Sequence, residues 1–292
     1  MKFAFLVCLE LRCLKHIDSL YKYLIDYYDA DIFICVQDAP DVQDKIKLFN
    51  RKVKKIKIIK KKENPIIEYF NNPLLNTFGR GNFHSNGILN FYINLIEMGK
   101  FIKDDIVNYD YFIFLRTDIH ILFEFPPINK FKKIKPSIFS FNPNYCKNWG
   151  GWGTHSFIHK NYIYQSLTCF DEILRNNKLI QQYYNEKNFK VPNQETFSNF
   201  CYKISNLPTK YIENLNFYFC ADINSIEEMK KANTIKKIGY YSLRKKVYYD
   251  KKRNQFFKYK KQYEEAYNNL KLKKKNYKWK LDENTNIYLK KI

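Results

Sequence analysis

Five consecutive residues, Arg116-Thr117-Asp118-Ile119-His120, leave the apolar run Tyr111 to Leu115 in the stretch YDYFIFLRTDIHILFEF. An aspartate at the end of such a run can hold a divalent cation, and the cation can bridge and orient a pyrophosphate. Arg116 can grip phosphate oxygens through its planar fork, which Lys cannot reproduce. His120 is a candidate second metal ligand. Each has a structural alternative: a turn cap for Asp118, an ion pair for Arg116, packing or solvent for His120. His155 and His159 would share a helical face, but their stretch reads as loop and strand, so no metal pair is expected there.

These groups need a scaffold that delivers them to one edge. Tyr111 to Leu115 reads as a strand buried on both faces, and charges at the carboxyl end of such a strand lie where open α/β sheets place ligands. Upstream, Phe3 to Leu9 is a strand-like run. Ile17, Leu20, Tyr21, Leu24 and Tyr28 recur at helical spacing, and DIFICV from Asp31 is a second strand. Together they have the length of a βαβ unit. VKKIKII (53–59) reads as a third strand with its lysines toward solvent. Ser85 to Ile102 places Ile88, Tyr92, Leu95 and Ile96 on one helical face, with Ser85 as N-cap. Later come a strand at 137–141, helices at 161–177 and 194–204, and a strand at 211–220.

The 292 residues suffice for a large core, and 45% hydrophobic content with only 8 Gly and 9 Pro excludes linker-like, collagen-like or disordered classes. Net charge is +22, which on its face suggests a polyanionic partner. The excess is concentrated: residues 51–62 (RKVKKIKIIKKK) carry +8 and residues 235–280 carry +14, leaving the remainder neutral. Seven cysteines without a CxxC pair fit reduced thiols and a cytoplasmic location. Glu10 and Arg12 interrupt the N-terminal apolar run, so a signal peptide is not expected, and no stretch approaches the ~18 apolar residues of a spanning helix.

In order and spacing the chain resembles the GT-A-type glycosyltransferase-like proteins of bacterial surface-polysaccharide loci and large viruses. The matches are FLVCLELR ending in Arg12, the DIFICV strand, the polar Asn82/Ser85 segment before a helix, and YDYFIFLRTDI, which is similar to that group's Arg-x-Asp signature. They span about residues 1–125; Pro192 to Glu195 is weakly similar to a later Pro-Glu. The resemblance implies a GT-A-like (Rossmann-like), mostly parallel α/β sheet flanked by helices that binds a nucleotide-diphosphate-sugar donor. The base would lie near Arg12 and Asp38, and Asp118 would face the metal or the ribose and phosphates. Arg116 stands where the usual Asp-x-Asp signature has its first Asp, so it could neutralise the diphosphate itself. Asp118-Ile119-His120 is similar to an Asp-x-His variant, which keeps a divalent cation (Mn²⁺ or Mg²⁺) open.

Within that frame Trp149-Gly150-Gly151-Trp152-Gly153 suits the sugar. Trp faces stack on pyranose rings, and Gly lets backbone amides approach, with Gly151 and Trp152 as donor contacts. A core-packing turn is the alternative. Glu195 is the candidate catalytic base of an inverting reaction, against a capping role in the first turn of its helix. A retaining reaction would need no such base.

The expected organisation is a transferase domain over 1–234 and a basic, partly helical extension over 235–292. In the extension Phe256, Tyr259, Tyr263, Tyr267 and Leu270 recur at helical spacing among lysines, as suits an anionic membrane surface or packing on the main domain. The expected activity is transfer of a hexosyl or pentosyl group to a glycan or glycolipid acceptor, as in polysaccharide biosynthesis. The alternative is a nucleic-acid-binding protein using blocks 51–62 and 235–280. No zinc finger, RNP-type aromatic motif or Gly-x-x-Gly clamp supports it, so nucleic acid is not the expected partner.

Overall fold

The computed structural model describes residues 1–9, 11, 14, 17–77, 85–117, 119–121, 125–142, 155–187, 194–213, 217–219, 277–281 and 287–291. In chain order the elements are β1 (Phe3–Leu9), α1 (Ile17–Leu20), β2 (Asp31–Gln37), α2 (Val42–Lys47), β3 (Val53–Ile59), α3 (Ser85–Ile102), β4 (Tyr111–Leu115), β5 (Ile119–Ile121) and α4 (Ile128–Phe131). There follow β6 (Ile138–Asn142), β7 (His155–His159), α5 (Lys160–Arg175), α6 (Asn177–Lys187), α7 (Gln194–Ile204), β8 (Thr209–Glu213), β9 (Phe217–Phe219), β10 (Tyr277–Leu281) and β11 (Ile287–Lys291). The chain divides into two compact units: Met1–Glu10 with Asp29–Arg116 and Ile134–Glu213, and Leu11–Tyr28 with Thr117–Lys133 and Asn214–Ile292.

The first unit is an α/β layer whose seven strands of the large sheet run in the order β8-β6-β7-β4-β1-β2-β3. β1 pairs parallel with β2 and β4, β2 parallel with β3, and β6 parallel with β8; β7 runs antiparallel between β4 and β6. The mostly parallel sheet expected from the sequence is therefore present. β4 is buried along its whole length, and β1 from Phe3 to Cys8, which is why both read as unbroken apolar runs rather than alternating ones.

α3 covers one face. Ile88, Tyr92, Leu95 and Ile96, the face expected from helical spacing, pack in one core with Leu6, Cys8, Phe33, Cys35, Phe112 and Phe114. α5 lies beside α3 at Gly99, where an added Cβ would stand 2.7 Å from Thr168 Cγ2 and 3.1 Å from Leu167 Cβ. The glycine is thus a packing requirement of the helix pair.

β3 is the edge of this sheet, and its lysines explain how the edge is kept from pairing with other chains. Lys54 pairs with Asp31 (3.6 Å), Lys55 with Asp105 (2.6 Å) and Lys57 with Glu97 (2.8 Å). Lys52, just before the strand, pairs with Asp29, and Lys62, just after it, with Glu68 at 3.8 Å. Among the described residues, Lys60 and Lys61 pair with no carboxylate, and both are exposed.

Two expectations are corrected. The single late strand at 211–220 is instead β8, which joins the large sheet, and β9, which pairs antiparallel with β5 in a separate two-stranded sheet. The helix expected at 161–177 ends at Arg175, and a further helix, α6, follows from Asn177.

In the second unit α1 runs on into the π-helical turn Tyr21–Ile25. Leu20, Leu24, Ile25, Tyr28, Ile121, Phe125 and Phe131 are buried in this unit. The Tyr28 hydroxyl donates to the Pro126 carbonyl, and its ring meets Phe131 edge to face at 6.3 Å. β10 and β11 form an antiparallel hairpin. Among the described residues no helix is long and apolar enough to cross a membrane. The amphipathic segment at 256–270 lies outside the described residues.

Candidate active site

The parallel strands of the first unit deliver their carboxyl ends to one edge. The registers Leu6↔Phe33, Leu6↔Phe114 and Cys8↔Cys35 put Arg116 level with Cys8 and Cys35, and Asp38 three residues beyond that level. The Asp38 N–H, just past β2, donates to the carbonyl of Ile59, the last residue of β3, at 2.9 Å and closes the β2–β3 ladder. Asp38 is exposed there and Arg116 half-buried. A carboxylate, a guanidinium and the two unpaired ammonium groups of Lys60 and Lys61 therefore leave the sheet at one edge.

Two helices begin at the same edge because each is a crossover running back against the strands. For α3, the Cys8 thiol donates to the Asn94 carbonyl at 3.4 Å, and the Asn90 side chain holds both the N–H (3.0 Å) and the carbonyl (2.9 Å) of Lys62. At its other end Tyr109 OH donates to Asp31 Oδ2, at the start of β2, at 2.8 Å. Ser85 thus begins a helix whose first turns face the carboxyl edge, though as its first residue rather than its N-cap. α7 sets Ser198 Oγ 3.3 Å from the Tyr92 hydroxyl, in the first half of α3, and ends at Ile204 just before β8 begins at the opposite edge, so the backbone of its second residue, Glu195, also belongs to the carboxyl-edge end.

Polar atoms at this end of the core are not all matched. Gln37, the last residue of β2, is buried, and its Nε2 has no hydrogen-bond partner among the described residues; neither has Asn94 Oδ1. Unmatched buried polar atoms are uncommon in folded proteins and mark places where water or a ligand completes the bonding. Sequence reasoning missed both residues. A Gln ending an otherwise apolar strand and Asn90 and Asn94 on the inner face of an apolar helix were the available signals.

Within the second unit, the Ile121 N–H donates to Ser19 Oγ at 3.0 Å, and β5 pairs His120 with Tyr218. Thr117 is buried.

Of the residues singled out from sequence, Asp38 and Arg116 are described in full. Ser85, His120 and Glu195 are described in backbone only. Arg12, Asn82, Asp118, Gly151 and Trp152 lie outside the described residues, as does the loop 149–153. Among the described residues no group of three His, Cys, Asp or Glu side chains could hold a metal ion. His159 has a different task, as N-cap of α5: its Nδ1 accepts the Asn161 N–H at 3.2 Å. Burial, then the neighbouring Lys160, hold its pKa below the usual histidine value against the opposing pull of Asp110, which keeps the ring neutral and able to accept. Cys8, Cys35, Cys169 and Cys201 are buried free thiols, and burial pushes Cys35 and Cys169 up to about 12, so neither is a nucleophile at neutral pH.

No family model matches the chain, and no curated protein matches it. Among solved structures, it is similar to the apo form of mouse xyloside xylosyltransferase 1, with a TM-score of 0.44 and 10% sequence identity over 72% of this chain and 85% of that one.

Proposed function

We propose that the chain is a GT-A-type glycosyltransferase that moves a sugar from a nucleotide-diphosphate-sugar to a glycan or glycolipid acceptor. The observation that carries the reading is the fully buried β4, which releases Arg116 at the carboxyl edge of parallel strands and runs straight into Asp118. The beginnings of α3 and α7 at that edge support it, because they bring the backbone of Ser85 and Glu195 to the side where Asp38 and Arg116 emerge.

In this reading Arg116 neutralises the diphosphate through a two-pronged contact, and Arg12, Asp38, Asn82 and Ser85 bind the nucleoside. Asp118 faces the ribose and phosphates. Gly151 and Trp152 hold the sugar, the indole against its C–H face. In an inverting displacement Glu195 takes the proton from the acceptor hydroxyl as that oxygen bonds to the anomeric carbon and the nucleoside diphosphate leaves. A divalent cation held by Asp118 and His120, when bound, would supply further positive charge to the leaving group.

Five of the eight basic residues in block 51–62 are engaged in ion pairs, which weakens the case for nucleic acid as a partner of that block. Thermal unfolding with a panel of UDP-, GDP-, TDP- and CMP-sugars, with and without Mn²⁺, tests the reading. A ligand at 100 times its dissociation constant stabilises the fold by about 2.7 kcal/mol. A raised Tm with one nucleotide series is the expected result, and no shift with any of them contradicts it.

A further inference from the structure

We propose that the depression at the junction of α7 and β8 binds a neutral saccharide unit, at the sheet edge opposite Arg116. This does not rest on the transferase reading. The cavity measures about 420 Å³ and is lined by Asn199, Tyr202, Lys203, Asn206, Leu207 and Thr209. That volume lies within the roughly 300–1,000 Å³ of small-molecule sites.

Its location follows from the pairing of the strands. β8 is parallel to β6, β6 antiparallel to β7, β7 antiparallel to β4, and β4 parallel to β1, so Thr209 at the start of β8 stands at the amino edge. Arg116 and Asp38 leave the carboxyl edge, about one strand length away.

The cavity is preformed by the way α7 stops. Asn206 adopts the left-handed conformation (φ 51°), its N–H donates to the Lys203 carbonyl at 3.1 Å, and the Leu207 N–H reaches back to the Tyr202 carbonyl at 3.0 Å. This pair of bonds is the Schellman ending of a helix, in which the residue after the left-handed one packs on the last turn. Here Leu207 and Tyr202 are both buried and form an apolar floor. Lys203, Asn206 and Thr209 are exposed at the rim.

The lining chemistry selects the ligand. Two carboxamides and a hydroxyl each both donate and accept, matching a ligand that carries many hydroxyls. An apolar floor suits the C–H face of a sugar ring. Asn199, half-buried, lines the wall, and its Oδ1 has no hydrogen-bond partner among the described residues. The Lys203 ammonium lies 3.8 Å from Glu186 at the solvent-exposed rim, so an acid stands beside this base and the rim is not purely cationic.

Saturation-transfer NMR on the full chain tests this with the methyl glycosides of xylose, glucose, galactose and N-acetylglucosamine, with lactose, and with glycerol as the generic polyol. The expected result is saturation of at least one glycoside beyond that of glycerol, weakened at least five-fold in Thr209→Val and in Asn199→Leu and unchanged in Asp118→Ala. Thr209 lies on the exposed rim, so its variant keeps the test valid should Asn199→Leu fail to fold. The proposal is overturned if no glycoside exceeds glycerol, or if the signal survives Thr209→Val. Loss of the signal in Asp118→Ala with retention in the cavity variants would place the sugar at the carboxyl edge and equally overturn it.

Discussion

Lys57 Nζ and Glu97 Oε2 meet at 2.8 Å between the edge strand β3 and the covering helix α3. Glu97 also accepts from Lys100 at 3.1 Å and from the Tyr69 hydroxyl at 3.2 Å. Burial pushes the Glu97 carboxyl up, but its bonds to Lys57 and Lys100 outweigh this and hold it below the usual value. The most basic stretch of the first sixty residues is thus tied to acids distant in sequence.

Glu97→Gln should cost about 0.5–1 kcal/mol near pH 7, since the pair is only partly shielded from water. The sign with pH follows from the lowered pKa: the contribution is complete above the unfolded value of about 4.3 and is lost as pH falls through the folded one. Urea titrations at pH 7 and pH 3.5 should therefore show a smaller acid-induced loss in the variant than in the parent. Equal losses would mean that the ion pair contributes nothing.

Gly99→Ala forces a methyl group to within 2.7 Å of Thr168 Cγ2. Overpacking of this kind costs about 1–3 kcal/mol, against about 1 kcal/mol gained in helix propensity. A net loss of about 1 kcal/mol is expected, and the double variant Gly99→Ala/Thr168→Ser should recover most of it. Chemical denaturation of the three proteins decides.

His159 caps α5 with a neutral ring, so its stabilisation is complete above the unfolded pKa of about 6.5 and is lost as pH falls through the lower folded value. His159→Asn keeps an accepting cap and removes the titration. Between pH 7.5 and 5.5 the parent should lose more stability than this variant, as followed by thermal unfolding.

Arg116→Lys keeps the charge and removes the fork. In the proposed transferase it should weaken the donor about ten-fold, and Arg116→Met more, while the Tm of the free protein changes little. Titration calorimetry with the stabilising nucleotide sugar reads this. Equal affinity in parent and Met variant would remove Arg116 from the donor site.

The parts of the fold legible in the sequence were those with a single dominant signal. β1, β2 and β4 stand out because burial on both faces demands unbroken apolar runs, and α3 because four apolar residues repeat along one face. The late strand misled because only Glu213, Asn214 and Asn216 interrupt the apolar residues of YIENLNFYFC, and nothing local says that Thr209–Glu213 and Phe217–Phe219 join different sheets. α6 escaped because its polar run NKLIQQYYNEK shows little sidedness until Ile180 and Tyr183 are seen to be buried.

At the candidate site, the end of β4 made the position of Arg116 at a sheet edge legible, while Asp118 lies outside the described residues. Gln37 and Asn94 were not legible, because an unmatched buried amide is defined by what surrounds it. The charge of block 51–62 was legible, but its partners were not, Asp31 being set by the pairing of β2 with β3 and Asp105 and Glu97 by the crossover of α3.

The most direct test of the central claim is release of nucleoside diphosphate from nucleotide sugars, supplied singly with a mixed glycan acceptor pool, by the parent and by Asp118→Ala. The account predicts release from one donor series by the parent, at least a hundred-fold slower in the variant, with unchanged unfolding of the free protein. Release at equal rates by both proteins, or none by the parent with any donor, would contradict it.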